Sequence, residues 1–195
     1  VQCCEYVPEL EQPSVSIDNY AAAAETVRYL IAQGHRRVAL LSAGNDFIST
    51  QLRRQGYEDV LHQAGLYCGD ELVAYADADY SYNSGLTAAD ALLRLQPRPT
   101  AICCVSDILA LSVISRAHDL GLRVPEDLSV TGIDDVDYTT MFHPQLTTVA
   151  QPCYEMGQES LRILLRMLRG GQPPRTRTFL PYKLVLRESV AAHNE

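Results

Sequence analysis

Long apolar runs are missing from this chain of 195 residues: none approaches the roughly 20 that a bilayer-spanning helix needs. No membrane partner is therefore expected. No signal peptide is visible, and the chain opens Val1-Gln2 without a Met, so it reads as a fragment or trimmed piece. Basic residues are in deficit. Sixteen Lys and Arg face 24 Asp and Glu, giving a net charge of −8 and a pI near 5.1. That balance argues against a nucleic-acid surface within the chain.

The motifs of several chemistries are absent too. There is no G-x-G-x-x-G and no GxxxxGK[ST], so a bound nucleotide phosphate would lack its cradle. There is no G-x-S-x-G elbow for a serine hydrolase. The six cysteines include two adjacent pairs, Cys3-Cys4 and Cys103-Cys104, but no C-x2-C spacing. Cys103 and Cys104 lie in the apolar run TAICCV, where cysteine serves as a small hydrophobe. Reduced, structural thiols in a cytoplasmic protein are expected. None of the five histidines has ligand spacing to a second His or Cys, so no metal site and no cofactor are expected. The acids leave a magnesium site open.

What is present is a core and an alternation. The hydrophobic fraction is 47%, enough for a real interior. YAAAAETVRYLIAQG (20–34) has helical periodicity, with Asp18 or Asn19 to cap it and Gly34 to stop it. HRRVALLSAG (35–44) reads as a strand, and TQLRRQGYEDVLHQAG (50–65) as a helix. ELVAYA (71–76), TAICCV (100–105) and LSVTGID (128–134) are further strands, separated by helices at 81–95 and 106–121. This order predicts an α/β fold, a doubly wound parallel sheet with helices on both faces. After Pro152 come one long amphipathic helix (153–171), a Pro- and Arg-containing link QPPRTRT, and a terminal strand from Phe179 that alternates over Lys183 to Arg187.

Ligands of such sheets sit beyond the carboxyl ends of the strands. The loops there pool Asn45, Asp46, Asp77, Asp79, Tyr80, Ser106, Asp107, Asp134 and Asp135, with Arg53 and Arg54 on the helix after the first loop. Carboxylates accept paired hydrogen bonds from adjacent hydroxyls, Arg donates a fork, and a ring packs on an apolar face. The pool suits a hydroxyl-rich ligand such as a nucleoside or sugar.

The segments VSIDNYAAA, YLIAQGHRRVALLSAG, RRQGYEDVLHQAGL, PTAICCVSDILALSVISRAHDLGLRVPEDLSVTGIDDVD and PQLTTVAQP resemble the LacI/GalR family of bacterial transcription regulators over nearly the whole chain. The resemblance implies a type I periplasmic-binding-protein-like effector domain of two lobes, with the effector between them. It places 20–149 and 179–189 in the second lobe, and 1–19 and 150–178 as remnants of the first. The DNA-binding helix-turn-helix would precede this chain, so operator DNA is a partner only through a missing N-terminal part. Arg53, in RRQGY, falls on the family's effector-binding arginine, with Arg54 facing solvent. Tyr80 falls on the strand-end aromatic, Ser106 on a polar contact position, Asp134 on the first Asp of G-x-D-[DN], and Glu5 near a position that is often Asp. Cys153 stands where relatives carry Phe or Arg.

Asp134 is thus expected to face the cleft, opposite Arg53 across one ligand, while Asp135 turns away to brace the next loop. The bland alternatives are two turn-capping acids, a solvated Arg53 and a merely packed Tyr80. Asp107 is expected to serve its helix N-terminus. Met141 and Phe142, in YTTMFHP, are expected at an exposed twofold contact, making a homodimer. An exported solute-binding protein and a doubly wound metal-dependent enzyme are the competing readings.

Overall fold

The computed structural model describes residues 1–172 and 177–193. In chain order its elements are β1 (Gln2–Cys3), β2 (Ser14–Ser16), α1 (Asn19–Ala32), β3 (Val38–Ala43), α2 (Ile48–Gln63), β4 (Val73–Ala76), α3 (Tyr82–Leu93) and β5 (Ala101–Cys104). They continue with α4 (Asp107–Asp119), β6 (Ser129–Asp134), β7 (Thr147–Ala150), α5 (Cys153–Leu168), β8 (Arg177–Phe179) and β9 (Lys183–Val185). The larger sheet runs β4-β3-β5-β6-β7-β9, parallel except where β9 pairs antiparallel with β7. A second, three-stranded parallel sheet runs β1-β2-β8.

The fold is the α/β, periplasmic-binding-protein-like architecture that the alternation predicts. β3 and β5 are buried along their whole length, as a strand covered on both faces must be. Cys103 and Cys104 are 1% and 0% exposed and pack as hydrophobes. α1 packs on α2 and α3 on α4, so the two helix pairs enclose the larger sheet. Tyr57 is the largest fully buried side chain, and its hydroxyl donates to the Val38 carbonyl at 2.9 Å. A smaller cluster of Val15, Ile17, Ile133, Val149, Met156 and Ile163 joins the two sheets beneath α5.

Helix ends follow local chemistry. Asp18, not Asn19, caps α1, accepting from Ala21 N at 2.9 Å. Gly34 stops the helix at φ +93°, and a Cβ there would meet the His193 carbonyl oxygen at 2.1 Å, so only glycine fits.

Several elements differ from expectation. β1, β2 and β7 have no sequence-predicted counterpart, and β8 meets the expected terminal strand only at Phe179. β7 is TTVA, and its two threonines interrupt the apolar signature although both are fully buried. The expected terminal strand is split: Pro181 falls between β8 and β9, which join different sheets. The link QPPRTRT lies mostly outside the described residues. α5 is amphipathic, with Met156 and Ile163 buried and Leu161, Leu164, Leu165 and Leu168 exposed.

Candidate functional site

The carboxyl ends of β3, β4, β5 and β6 deliver their loops to one side of the larger sheet. Facing them is the chain after β1. Between the two lies a cleft of about 760 Å³, within the size range of small-molecule sites. Glu5, Arg53, Tyr80, Ser106 and Asp134 all line it, so the structure brings the five nominated residues together.

Arg53 is only 7% exposed. Its Nε donates to Asn19 Oδ1 at 2.9 Å and its Nη1 to the Val105 carbonyl at 2.5 Å. Nη1 also lies 4.0 Å from Asp134 Oδ1. The two residues are therefore neighbours and not opposite walls of the cleft. Arg53 is fixed by β5's exit and by Asn19, a supporting residue that the sequence reading used only as a possible cap. Arg54 faces away, with Nε on Glu58 Oε1 at 2.6 Å and its guanidinium over the Tyr75 ring.

Asp134 ends β6 with φ +139° and Asp135 follows at φ +60°, two consecutive non-glycine residues in the left-handed half of backbone space. The turn aims Asp134 into the cleft, where Oδ1 accepts from Gln151 Nε2 at 2.6 Å. Burial lifts its carboxyl above the usual range; Arg53 and then the Gln151 hydrogen bond oppose that. Asp135 braces the following loop, as the sequence reading expects: Oδ1 accepts from Arg187 Nη2 at 2.6 Å and from Thr139 Oγ1 at 3.3 Å.

Asp107 requires a correction. Ser106 caps α4, accepting from Leu109 N at 3.4 Å. The Asp107 side chain, 0% exposed, instead ties three segments together. Its Oδ1 accepts from Thr148 Oγ1 at 2.5 Å and its Oδ2 from Val136 N at 3.0 Å, with the Asp135 N–H as a further donor. A Cβ on residue 132 would meet Asp107 Oδ1 at 2.3 Å, which explains Gly132. Burial pushes the carboxyl up to about 6 against the Thr148 hydrogen bond, and the Asp134 charge adds to the push. Adjacency of Ser106 and Asp107 hid which of them caps and which reaches across to β7.

Tyr80 sits at φ +56°, its hydroxyl bonded to Thr50 Oγ1 and its ring stacked on Phe47 at 6.4 Å. Glu5 accepts from Ser49 N at 3.2 Å and from the Ser49 hydroxyl, placing a carboxylate at the N-terminus of α2. Asn45 and Asp79 hold their own loops, Asn45 Nδ2 on the Ala78 carbonyl and Asp79 Oδ1 under Ser81 N. Glu5, Asp134, Asp135 and Asp137 against Arg53 make the cleft net acidic. Such a wall accepts hydrogen bonds from hydroxyls and repels phosphate.

An open α/β sheet whose strand ends converge on one polar cleft is a fold class that holds small molecules. Residues 27–190 match the model of the periplasmic binding protein-like domain. The HTH-type transcriptional repressor CytR of Escherichia coli (strain K12) is 38% identical over 192 residues, covering 98% of this chain and 56% of that protein. The crystal structure of a LacI family transcriptional regulator from Mycobacterium smegmatis superposes with a TM-score of 0.88 at 31% identity, over 96% of this chain and 69% of that one. A transcriptional regulator CelR–cellobiose complex gives a TM-score of 0.86 at 35% identity, over 94% and 55%. The chain belongs to the periplasmic binding protein-like domain family, in the branch of the LacI-family regulators. It spans about half the length of the curated relatives it matches. Among the described residues no helix is long and apolar enough to cross a membrane.

Proposed function

We propose that this chain is the effector-binding and dimerising part of a cytoplasmic, non-enzymatic LacI-type repressor that senses a small polyhydroxylated molecule. The observation that carries the reading is the Arg53–Asp134 pair, 4.0 Å apart in a net acidic cleft at the strand ends. The carboxylate accepts from ligand hydroxyls, the guanidinium orients it, and Tyr80 offers a ring for an apolar face. Ser106 and Glu5 complete the polar lining.

A nucleoside or a sugar fits this chemistry. PELEQPSVSIDN and LTTVAQPCYEMG resemble the cytidine repressor, and the relative CelR was solved with cellobiose. The expected lobes, 20–149 with 179–189 and 1–19 with 150–178, fit the two sheets with their bounds moved by one residue, since Ala150 pairs in the larger sheet and Phe179 in the smaller. The exposed leucines of α5 fit a lobe completed by further chain. Operator DNA is contacted by an N-terminal domain outside this acidic segment. Calorimetry of the full-length protein against nucleosides, simple sugars and their phosphates tests the reading. Binding of an unphosphorylated nucleoside or sugar supports it; binding of phosphorylated or strongly hydrophobic ligands alone overturns it.

A further inference from the structure

We propose that Cys3 and Cys4 form a vicinal dithiol at the lip of the cleft, that a small disulfide such as glutathione disulfide closes it to a Cys3–Cys4 bridge, and that closure weakens effector binding through Glu5. The regulatory half rests on the cleft being the effector site; the dithiol half does not.

The two sulfurs lie 3.9 Å apart and both residues are exposed. Cys4 takes φ +67° and is pinned on both sides: its N–H donates to the Val15 carbonyl at 2.9 Å and its carbonyl accepts from Ser16 Oγ at 2.9 Å. It also lines the cleft, as does Cys153 at the start of α5. The link to the site is one residue long. Glu5 N–H donates to the Cys3 carbonyl at 2.9 Å, and the Glu5 carboxylate holds Ser49 at the head of α2. Twisting the Cys3–Cys4 peptide must move Glu5. The second adjacent pair, Cys103-Cys104, is buried inside β5 and offers no such access.

The chemistry balances as two exchanges. The Cys3 thiolate attacks one sulfur of glutathione disulfide, and one glutathione thiolate leaves. Cys4 then attacks the Cys3 sulfur of the mixed disulfide, and the second glutathione leaves. Two protein thiols are oxidised and one small disulfide is reduced to two thiols. Partial desolvation of its sulfur, and then the Cys3 sulfur beside it, hold the Cys4 thiol up at about 12, so the first attack falls to Cys3. Capping the Cys3 sulfur removes its charge and hydrogen bond from Cys4 and leaves partial desolvation as the main opposing effect. Consecutive Cα atoms sit about 3.8 Å apart, short of the roughly 4.4–6.8 Å of ordinary bridges. The bridge is therefore strained and readily reduced, which suits a switch and not a staple.

The test uses the full-length protein with two probes, phenylarsine oxide and glutathione disulfide, read by intact mass and peptide mapping. Phenylarsine oxide joins two neighbouring thiols with loss of one water. One arsenical per chain is expected in the wild type and in Cys153→Ser, and none in Cys3→Ser or Cys4→Ser. Glutathione disulfide should remove two hydrogen atoms and leave a mapped Cys3–Cys4 link. A bridge to Cys153, retained mixed disulfides, or an adduct that survives in Cys3→Ser overturns the dithiol. Effector affinity should fall about tenfold on oxidation, recover with dithiothreitol, and stay constant in Cys3→Ser. An unchanged affinity in a closed dithiol overturns the regulatory half alone. If the reduced protein binds no nucleoside or sugar, the proposed function fails and the regulatory half with it, while the mass data still decide the dithiol.

Discussion

Arg53 reaches Asp134 from behind: its Nη1 is 4.0 Å from the Asp134 carboxylate while Nε and Nη1 are already bonded to Asn19 and the Val105 carbonyl. The guanidinium is thus spent partly on the fold and partly on the site. A ligand would meet a pair assembled in advance, with little side-chain entropy left to lose.

Arg53 should therefore matter to stability as well as binding. Arg53→Ala leaves Asn19 Oδ1 and the Val105 carbonyl without their donor and Asp134 without its cation. A loss of about 2–3 kcal/mol is expected, since a buried partner of a charged group is stranded. For a chain of this size that lowers the melting temperature by about 4–12 °C. Arg53→Lys keeps the charge but not the planar fork, so its loss is smaller in the melt and still costly in binding. A thermal melt of Arg53→Ala indistinguishable from the wild type would reject this network.

Two buried groups pull stability in opposite directions with pH. Asp107 is held up at about 6, so its folded form keeps a proton that the unfolded chain releases near pH 4. Its contribution is greatest below pH 4, falls as pH rises through 6, and is flat above, a change on the order of 3 kcal/mol. Asp107→Asn does not titrate. The wild-type advantage over that variant should shrink by this amount between pH 4 and 7 in urea melts. His35, bonded to Thr100 Oγ1 and the Ala191 carbonyl, is lowered to about 4 by burial and then by His193. Its contribution is present above pH 6.5 and lost as pH falls toward 4. The wild-type advantage over His35→Gln should shrink in the acid direction. Gaps that stay constant across the range would contradict both assignments.

Self-association is proposed at the groove of about 740 Å³ between α4 and the loop after β6, lined by Ile108, Leu111, Ile114, Tyr138 and Phe142. Phe142 is 63% and Met141 62% exposed, an apolar patch of the kind that marks an interface. Phe142→Asp should convert a dimer to monomer in sedimentation without lowering the melting temperature of the monomeric unit. A dimer that survives the substitution, or a monomeric wild type, would reject the contact.

The legible parts of the sequence were those whose signals are local. β3, β5 and β6 are apolar runs, and the helices carry their own stops. β7 was not legible, because Thr147 and Thr148 look like loop residues until their hydroxyls find Arg187 N and Asp107 across the fold. β1, β2 and β8 are two or three residues each and exist through pairing with distant chain. Of the pooled residues, Arg53, Tyr80, Ser106, Asp134 and Asp135 line the cleft while Asn45, Asp46, Arg54, Asp77, Asp79 and Asp107 do not, and Glu5 came from the family resemblance alone. Their mutual arrangement was not legible. It depends on positive φ at Tyr80, Asp134 and Asp135, where sequence gives no glycine to mark the turn.

The central claim is that the Asp134 carboxylate holds the effector, and one substitution isolates it. Asp134→Asn keeps the shape, the Gln151 contact and the turn, and removes the charge. Operator affinity of the full-length regulator, measured with and without effector beside a thermal melt, is the direct test. The variant should bind operator and melt like the wild type, with effector binding weaker by about 1.5–3 kcal/mol, the range for hydrogen bonds to charged groups. An effector response equal to the wild type, or a melt far below it, would mean that Asp134 shapes the turn and does not hold the ligand.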